Sequence, residues 1–206
     1  MGILQAAIAE HGIVGSNDVV GIHGIRPGVQ YARLVDFGGN WIPELFYVYT
    51  CERGESFIAR VISYSDMGVT EMTGLRLTYV IGAATGRHYF SLAIIEDGRA
   101  YMRVHEGHWG GGWGGGFYTN YYTIQNNTWV RSLSLWERVL GMDDPDELLD
   151  ESYDGLLFYV NGVRVSREEF YSAPLTELGI IHRYHLLWEN PEAVHAILNQ
   201  LESLSF

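Results

Sequence analysis

The feature that most constrains the fold is a succession of strand-like segments joined by very short links. Alternating or β-branched apolar runs bounded by turn residues predict strands. The predicted strands cover residues 31–37, 44–52, 57–65, 70–81 (interrupted by Gly74), 88–96, 100–105, 117–125 and 129–139. Asp97-Gly98 and Asn126-Asn127 are two-residue hairpin signals. Because parallel neighbours need connections of about a dozen residues, these short links predict antiparallel pairing.

A different pattern follows residue 155. Residues 156–160 and 163–165 predict a further hairpin, because Asn161-Gly162 between them favours a type I′ turn. Ser166 and Glu169 have the spacing of a capping box, in which each side chain binds the backbone amide of the other residue. The spacing predicts a helix that begins at Arg167 and carries Phe170 and Tyr171 inward.

Three more helices are predicted elsewhere in the chain. A short amphipathic helix covers residues 3–11 and ends at Gly12. The acidic segment 143–151 predicts a short helix with Asp144 at its N-cap. Asn190-Pro191 begins a last helix whose apolar stripe is Val194, Ile197, Leu198 and Leu201. His182 and His185 are interpreted as a surface or interface pair at helical spacing.

These elements predict an α+β fold in a single domain, residues 1–206. Its centre is one large, strongly twisted, meander-like antiparallel sheet, with a short N-terminal helix and C-terminal helices packed on its apolar face. Residues 1–140 supply the N-terminal helix and the sheet, and residues 141–206 supply the helix-rich part. A chain of 206 residues can bury enough surface to be stable without a disulfide, and Cys51 is its only cysteine.

Charge limits the classes of partner. The formal net charge of −12 argues against nucleic acid and disfavours an anionic membrane surface, because both require a concentrated basic face. No apolar run is long enough to span a bilayer, and the first residues do not have the pattern of a signal peptide. A glycan and a protein are the candidate partners.

One segment resembles a known family. Tyr31-Ala32-Arg33-Leu34-Val35-Asp36-Phe37, followed by Ile42-Pro43-Glu44-Leu45, is similar to a signature of uncharacterised secreted and surface proteins of gut Firmicutes. In that family the loop carries alternating Asp residues and then Gly-Ile-Pro-Glu-Leu. The segment 159–170, with its Asn-Gly turn and capping box, and the short N-terminal helix are also similar. The resemblance implies an extracytoplasmic location, either secreted or anchored at the cell surface.

The resembling loop also contains candidate calcium ligands. Asp36, Asn40 and Glu44 present oxygen atoms at alternating positions, as a calcium loop requires. Gly38 stands where the family has an acid, and Trp41 stands where it has glycine. We therefore favour a structural loop, in which Trp41 and Ile42 cap the apolar edge of the sheet, over a calcium site. No other cofactor is expected.

The glycine-rich segment 105–117 is a second candidate site. Trp109 and Trp113 could stack on sugar rings or aromatic groups, while the glycines allow close approach of the backbone to a ligand. His105 and His108 are candidate ligand-binding residues, but their spacing differs from the His-Glu-x-x-His zinc pattern. The alternative, which we favour, is a hairpin tip whose tryptophans pack back over the sheet.

No convergent set of catalytic residues is evident in the sequence. Cys51 at a strand end is interpreted as a buried apolar thiol rather than a nucleophile. We therefore predict a non-catalytic, extracytoplasmic or surface-displayed domain with a binding or structural role. The alternatives are a hydrolase that acts on a glycan or peptide, and a calcium-stabilised scaffold.

Overall fold

The computed structural model describes residues 2–13, 28–50, 56–65, 68–71, 75–78, 89–95, 99–109, 114–140, 155–185 and 199. The predicted helix over 143–151 and nearly all of the predicted last helix lie outside these residues. Cys51, Asp97-Gly98 and Trp113 also lie outside them.

The described residues form two helices and twelve strands. The helices are α1 (Gly2–His11) and α2 (Arg167–Leu178). The strands are β1 (Gly28–Val35), β2 (Glu44–Thr50), β3 (Ser56–Ser65), β4 (Gly68–Glu71), β5 (Leu75–Thr78), β6 (Tyr89–Ile95), β7 (Ala100–Trp109), β8 (Gly114–Gln125), β9 (Thr128–Leu140), β10 (Leu156–Val160), β11 (Val163–Val165) and β12 (Ile180–His185). All pairings between these strands are antiparallel, as predicted.

The described strands form two sheets, whereas one large sheet was predicted. Sheet I has the order β1-β2-β3-β4, with β5 also paired to β3. Sheet II has the order β11-β10-β9-β8-β7-β6-β12, a meander from β6 to β11 that β12 extends at the β6 edge. The region predicted as an interrupted strand over 70–81 contains β4 and β5, which pair with different parts of β3.

Two sheets form because both faces of the central strands are apolar. Every residue of β2 is buried, so this strand has no face to present to water. One apolar layer lies between the sheets and is built from Tyr31, Val35, Phe37, Phe46, Val48, Ala59 and Val61 with Leu92, Ala100, Met102 and Val104. Strands that bury both faces need a layer on each side. Stacking a second sheet provides one of those layers for sheet I.

The helices cover the two outer faces. Leu4 and Ala7 of α1 pack with Leu45, Tyr47 and Ile62 of sheet I. Phe170 and Ala173 of α2 join an apolar cluster with residues of sheet II. The layers therefore follow the order α1, sheet I, sheet II, α2. Neither helix in the described part of the chain is long and apolar enough to cross a membrane.

The hairpin turns have the conformations that their sequences predict. Asn126 and Asn127 have φ values of 51° and 60°, and Asn161 and Gly162 have 50° and 84°. Positive φ at both central residues defines the type I′ turn, whose twist matches that of paired strands. Asn161 also joins its turn to β9, because its Oδ1 accepts the amide of Ser134 at 3.0 Å.

Two predictions about the C-terminal part of the chain are wrong. His182 and His185 lie on β12 and not on a helix, because the segment pairs with β6 along the sheet edge. Tyr171 was expected to point inward, but 59% of its surface is exposed, whereas Phe170 is buried as predicted. Neighbouring helical residues point about 100° apart, so the face that buries Phe170 leaves Tyr171 at its margin.

The capping box of α2 gives a direct test of local stability. Ser166 Oγ accepts the Glu169 amide at 3.2 Å, and Glu169 Oε2 accepts the Ser166 amide at 2.8 Å. We expect Ser166→Ala to lower the free energy of unfolding by about 1 kcal/mol, measured by urea denaturation. Ser172→Ala is the matched control, since the Ser172 hydroxyl donates to a helix carbonyl and adds little stability. Equal losses for the two variants would contradict the capping role.

Candidate functional site

The β1–β2 loop is anchored to both sheets. Phe37 is buried in the layer between them, and its ring meets those of Phe46 and Trp129 edge to face at 5.5 and 5.4 Å. The carbonyl of Asp36 accepts the amide of Ala100 at 3.0 Å. These contacts fix the position of the loop relative to sheet II.

The Asp36 carboxylate organises the loop from within. Its Oδ1 accepts the amides of Gly39 at 2.6 Å and Asn40 at 3.3 Å, and its Oδ2 accepts the amide of Trp41 at 2.8 Å. Asn40 Oδ1 accepts the amide of Ile42 at 2.9 Å. Charge-assisted hydrogen bonds of this kind are stronger than neutral ones. The loop therefore holds its shape with the side-chain oxygens of Asp36 and Asn40, two of the candidate calcium ligands.

Glu44 is the third candidate ligand and lies at the inner side of the loop. It is buried, and its Oε2 accepts the amide of Phe37 at 2.9 Å. Burial raises the pKa of the Glu44 carboxyl, the hydrogen bond from Phe37 opposes that rise, and the negative charge of Asp36 adds to it. Asp36 and Glu44 are thus close enough to repel each other.

The backbone at Gly38 can carry a side chain beside Glu44 and Asn40. A Cβ atom at Gly38 would stand 3.4 Å from Glu44 Oε1, which is an ordinary contact, and Gly38 does not have a positive φ. Among the described residues, no three His, Cys, Asp or Glu side chains are grouped as metal ligands. The structure thus brings Asp36, Asn40 and Glu44 together in one loop with two carboxylates and one amide.

Trp41 and Ile42 do not cap the sheet, contrary to the prediction. Trp41 is 79% exposed and Ile42 is 51% exposed. The Trp41 backbone is left-handed, with φ of 64°, because its amide points inward to Asp36. That backbone turns the indole outward to solvent. A left-handed conformation costs a side-chain-bearing residue about 1–2 kcal/mol.

The candidate residues of the 105–117 segment are only partly described. His105 is bound within sheet II, since its Nδ1 lies 2.7 Å from Thr119 Oγ1 and its ring stacks on Phe117 at 5.4 Å. His108 and Trp109 lie on β7, opposite Gly116 and Gly115.

Sequence reasoning missed an aromatic cluster on the same end of sheet II. Tyr118, Trp136 and Tyr159 stand directly opposite one another on β8, β9 and β10. Their rings stack in sequence, with centroid separations of 5.4 Å and 4.8 Å. We call these three residues the aromatic ladder. The Arg138 guanidinium lies 5.7 Å from the Trp136 ring, within cation–π range.

The ladder continues the core face of sheet II beyond the part that contacts sheet I. Tyr118 and Tyr122 share one face of β8, and Tyr122 packs against the layer between the sheets. Burial raises the pKa of the Tyr122 hydroxyl, and the nearby Glu106 carboxylate raises it further. Glu106 itself stands opposite Tyr118. The ladder is thus bordered by a carboxylate on β7 and a guanidinium on β9.

Gly116 makes room for the ladder. A Cβ atom at this position would approach Trp136 Nε1 at 2.9 Å and would also overlap the Glu137 carbonyl oxygen. The indole therefore lies against bare backbone, and a side chain at position 116 would displace it.

The predicted site residues thus fall into separate regions. The calcium candidates share the β1–β2 loop, whereas His105, His108 and Trp109 lie on β7.

Compared with protein-family models, curated proteins and solved structures, the chain shows no match in any of the three.

The raised pKa of Glu44 predicts a pH dependence. A carboxyl whose folded pKa exceeds its unfolded value stabilises the fold most below the unfolded pKa, about 4.3, and loses that contribution as pH rises through the folded pKa. Relative to a Glu44→Gln variant, the wild type should therefore lose stability as the pH rises from about 4 toward neutrality. Urea denaturation across this range measures the difference. The control is Glu168→Gln, which shows how stability changes with pH when an exposed carboxyl, here on α2, is removed. If the stability of the wild type relative to Glu44→Gln increased with rising pH, the raised pKa of Glu44 would be refuted.

Proposed function

We propose that the chain is a non-catalytic binding domain of a secreted or surface-anchored bacterial protein, and that its aromatic ladder binds a glycan. The observation that carries the proposal is the stacked row of Tyr118, Trp136 and Tyr159 beside Arg138. The extracytoplasmic location rests on the resemblance of residues 31–45 and 159–170 to secreted and surface proteins of gut Firmicutes.

The chemistry of the ladder suits recognition of a sugar. Tyrosine and tryptophan combine a large apolar ring with a polar group, and they lose few rotamers on binding. Tyr118, on β8, is 36% exposed. The Arg138 guanidinium and the Glu106 carboxylate lie beside the rings and could hydrogen-bond ligand hydroxyl groups.

Pre-organisation also favours binding at this site. Each ring of the ladder is held by its neighbour across the strands, and Trp136 is seated against Gly116. A ligand therefore meets side chains that are already in place, which lowers the entropy cost of association.

Candidate catalytic groups have structural partners instead. Asp36 and Glu44 accept backbone amides, and His105 is hydrogen-bonded to Thr119. A general acid or base must instead reach a substrate proton. These contacts support a binding role over the hydrolase alternative.

Binding at the ladder can be tested by tryptophan fluorescence and calorimetry against a panel of soluble oligosaccharides. We expect at least one glycan to change the emission of the wild-type protein. Tyr118→Ala and Tyr159→Ala should each weaken its affinity about tenfold, as truncation of an interface anchor does. Tyr171→Ala is the matched control, because Tyr171 is an exposed tyrosine outside the ladder. Equal affinity in all three variants, with intact circular dichroism, would reject the ladder as the site.

A calcium-stabilised scaffold is the second candidate function. The observation in its favour is the proximity of the Asp36 and Glu44 carboxylates, whose mutual repulsion a cation would relieve. Asp36, Asn40 and Glu44 would supply oxygen ligands of the type that Ca²⁺ prefers.

This candidate predicts a rise in Tm with added Ca²⁺, by mass action on the folded state. Gly38→Asp should enlarge that rise, because it adds a third carboxylate where a side chain fits. Mg²⁺ is the control cation, since it demands a smaller and more regular site. An unchanged Tm at millimolar Ca²⁺ for both wild type and Gly38→Asp would exclude a calcium site in this loop.

A further inference from the structure

We propose that Trp41, Ile42 and Pro43 form a pre-organised prong that inserts into an apolar pocket of a protein partner. This docking surface is separate from the aromatic ladder and does not depend on glycan binding. All three residues of the prong are exposed and contiguous in the chain.

The stability of the fold does not explain why the prong carries an exposed indole. Trp41 exposes 79% of its surface, the largest exposure among the large apolar side chains of the described residues. Its φ of 64° is a conformation that bulky residues rarely adopt. Glycine would occupy this backbone without strain, so the indole adds strain while burying little of its own surface. Strain that persists in a well-supported loop is a mark of a functional position.

The loop presents the indole rigidly. Asp36 holds the amides of Gly39, Asn40 and Trp41, and Asn40 holds that of Ile42. Phe37 and the Asp36 carbonyl fix the base of the loop to the two sheets. Little conformational entropy remains to be lost on binding, and rigid aromatic anchors of this kind dominate the energetics of protein interfaces.

Size and shape favour an unlike partner over a second copy of this chain. An aromatic side chain buries about 150–250 Å², whereas a stable interface buries about 800 Å² on each partner. Two convex prongs that meet across a symmetry axis would bury too little to hold a dimer. A convex apolar tip instead requires a concave apolar pocket, with the rest of the contact formed around it.

The net charge of the chain favours a protein partner over a membrane. It also indicates that the partner's pocket lies in a basic surface. The net charge of −12 opposes approach to an anionic bilayer. The same charge attracts a partner whose surface is basic and raises the rate of their encounter. The partner expected here is a protein with an indole-sized apolar pocket in a basic surface.

The first test asks whether the Trp41 indole stabilises the fold, and it separates that effect from the backbone strain at position 41. Trp41→Gly relieves the left-handed strain, whereas Trp41→Ala retains it and removes the same ring. We expect Trp41→Gly to melt about 2–4 °C above Trp41→Ala, with neither variant losing the fold. A Tm for both variants well below that of the wild type would show that the indole stabilises the fold, and the proposal would fail.

The second test uses the photoreactive residue benzoylphenylalanine in place of Ile42, in the full chain within the cells that produce it. Position Val163, which is 66% exposed on a distant hairpin, is the matched control. We expect an ultraviolet-dependent protein adduct at position 42 that is lost in the Trp41→Gly background and is not formed at position 163. The cross-linked partner peptide should line an apolar pocket. The purified partner should bind Trp41→Gly at least tenfold more weakly than wild type.

Other results would overturn the proposal. These are adducts that form equally at both positions, an adduct that is insensitive to Trp41→Gly, an adduct with lipid alone, and an adduct with a second copy of this chain. Tyr118→Ala should leave the adduct at position 42 unchanged. If no glycan binds at the ladder but the adduct at position 42 forms, only the proposal for the ladder fails. If a glycan binds at the ladder but the adduct at position 42 does not form, only the proposal for the prong fails.

Discussion

The hydrogen bonds from three backbone amides to the Asp36 carboxylate are the interaction on which the β1–β2 loop and its exposed prong depend. They close the β1–β2 loop so that Phe37 enters the apolar layer while Trp41 faces solvent. Loss of the carboxylate would leave these amides to find other partners and would free the loop from its left-handed turn. One side chain thus couples the packing of two sheets to the presentation of an exposed indole.

The layer between the sheets sets the position of the second surface. Tyr122 packs into that layer, and strand alternation then places Tyr118 on the same face, beyond the contact with sheet I. The ladder is therefore an extension of the core into a region with partial exposure. This arrangement explains why its rings are rigid, and why one surface combines apolar stacking with neighbouring charged groups.

Local sequence patterns predicted the parts of the fold that depend on neighbours in the chain. The Asn126-Asn127 and Asn161-Gly162 turns and the α2 capping box have the predicted geometry. The grouping of Asp36, Asn40 and Glu44 was predictable for the same reason. The ladder was not. If the register set by the Asn126-Asn127 turn continued unbroken, Leu135 would stand opposite Tyr118, but an irregularity next to Tyr121 and Tyr122 shifts the strand so that Trp136 takes that place. A one-residue slip exchanges the two faces of a strand, and no local signal announced it.

The sequence by itself determined the antiparallel pairing of the described strands, the turns at Asn126-Asn127 and Asn161-Gly162 and the start of α2, because short links and backbone conformations are local properties. The tertiary structure alone decided that the strands divide into two stacked sheets, that β12 pairs at the β6 edge, and that the aromatic ladder forms. It also decided that Trp41 points outward, since the direction of its side chain follows from hydrogen bonds to Asp36 and from the burial of Phe37. Apolar patterning shows which residues leave water. Which surface they meet depends on contacts between segments far apart in the chain.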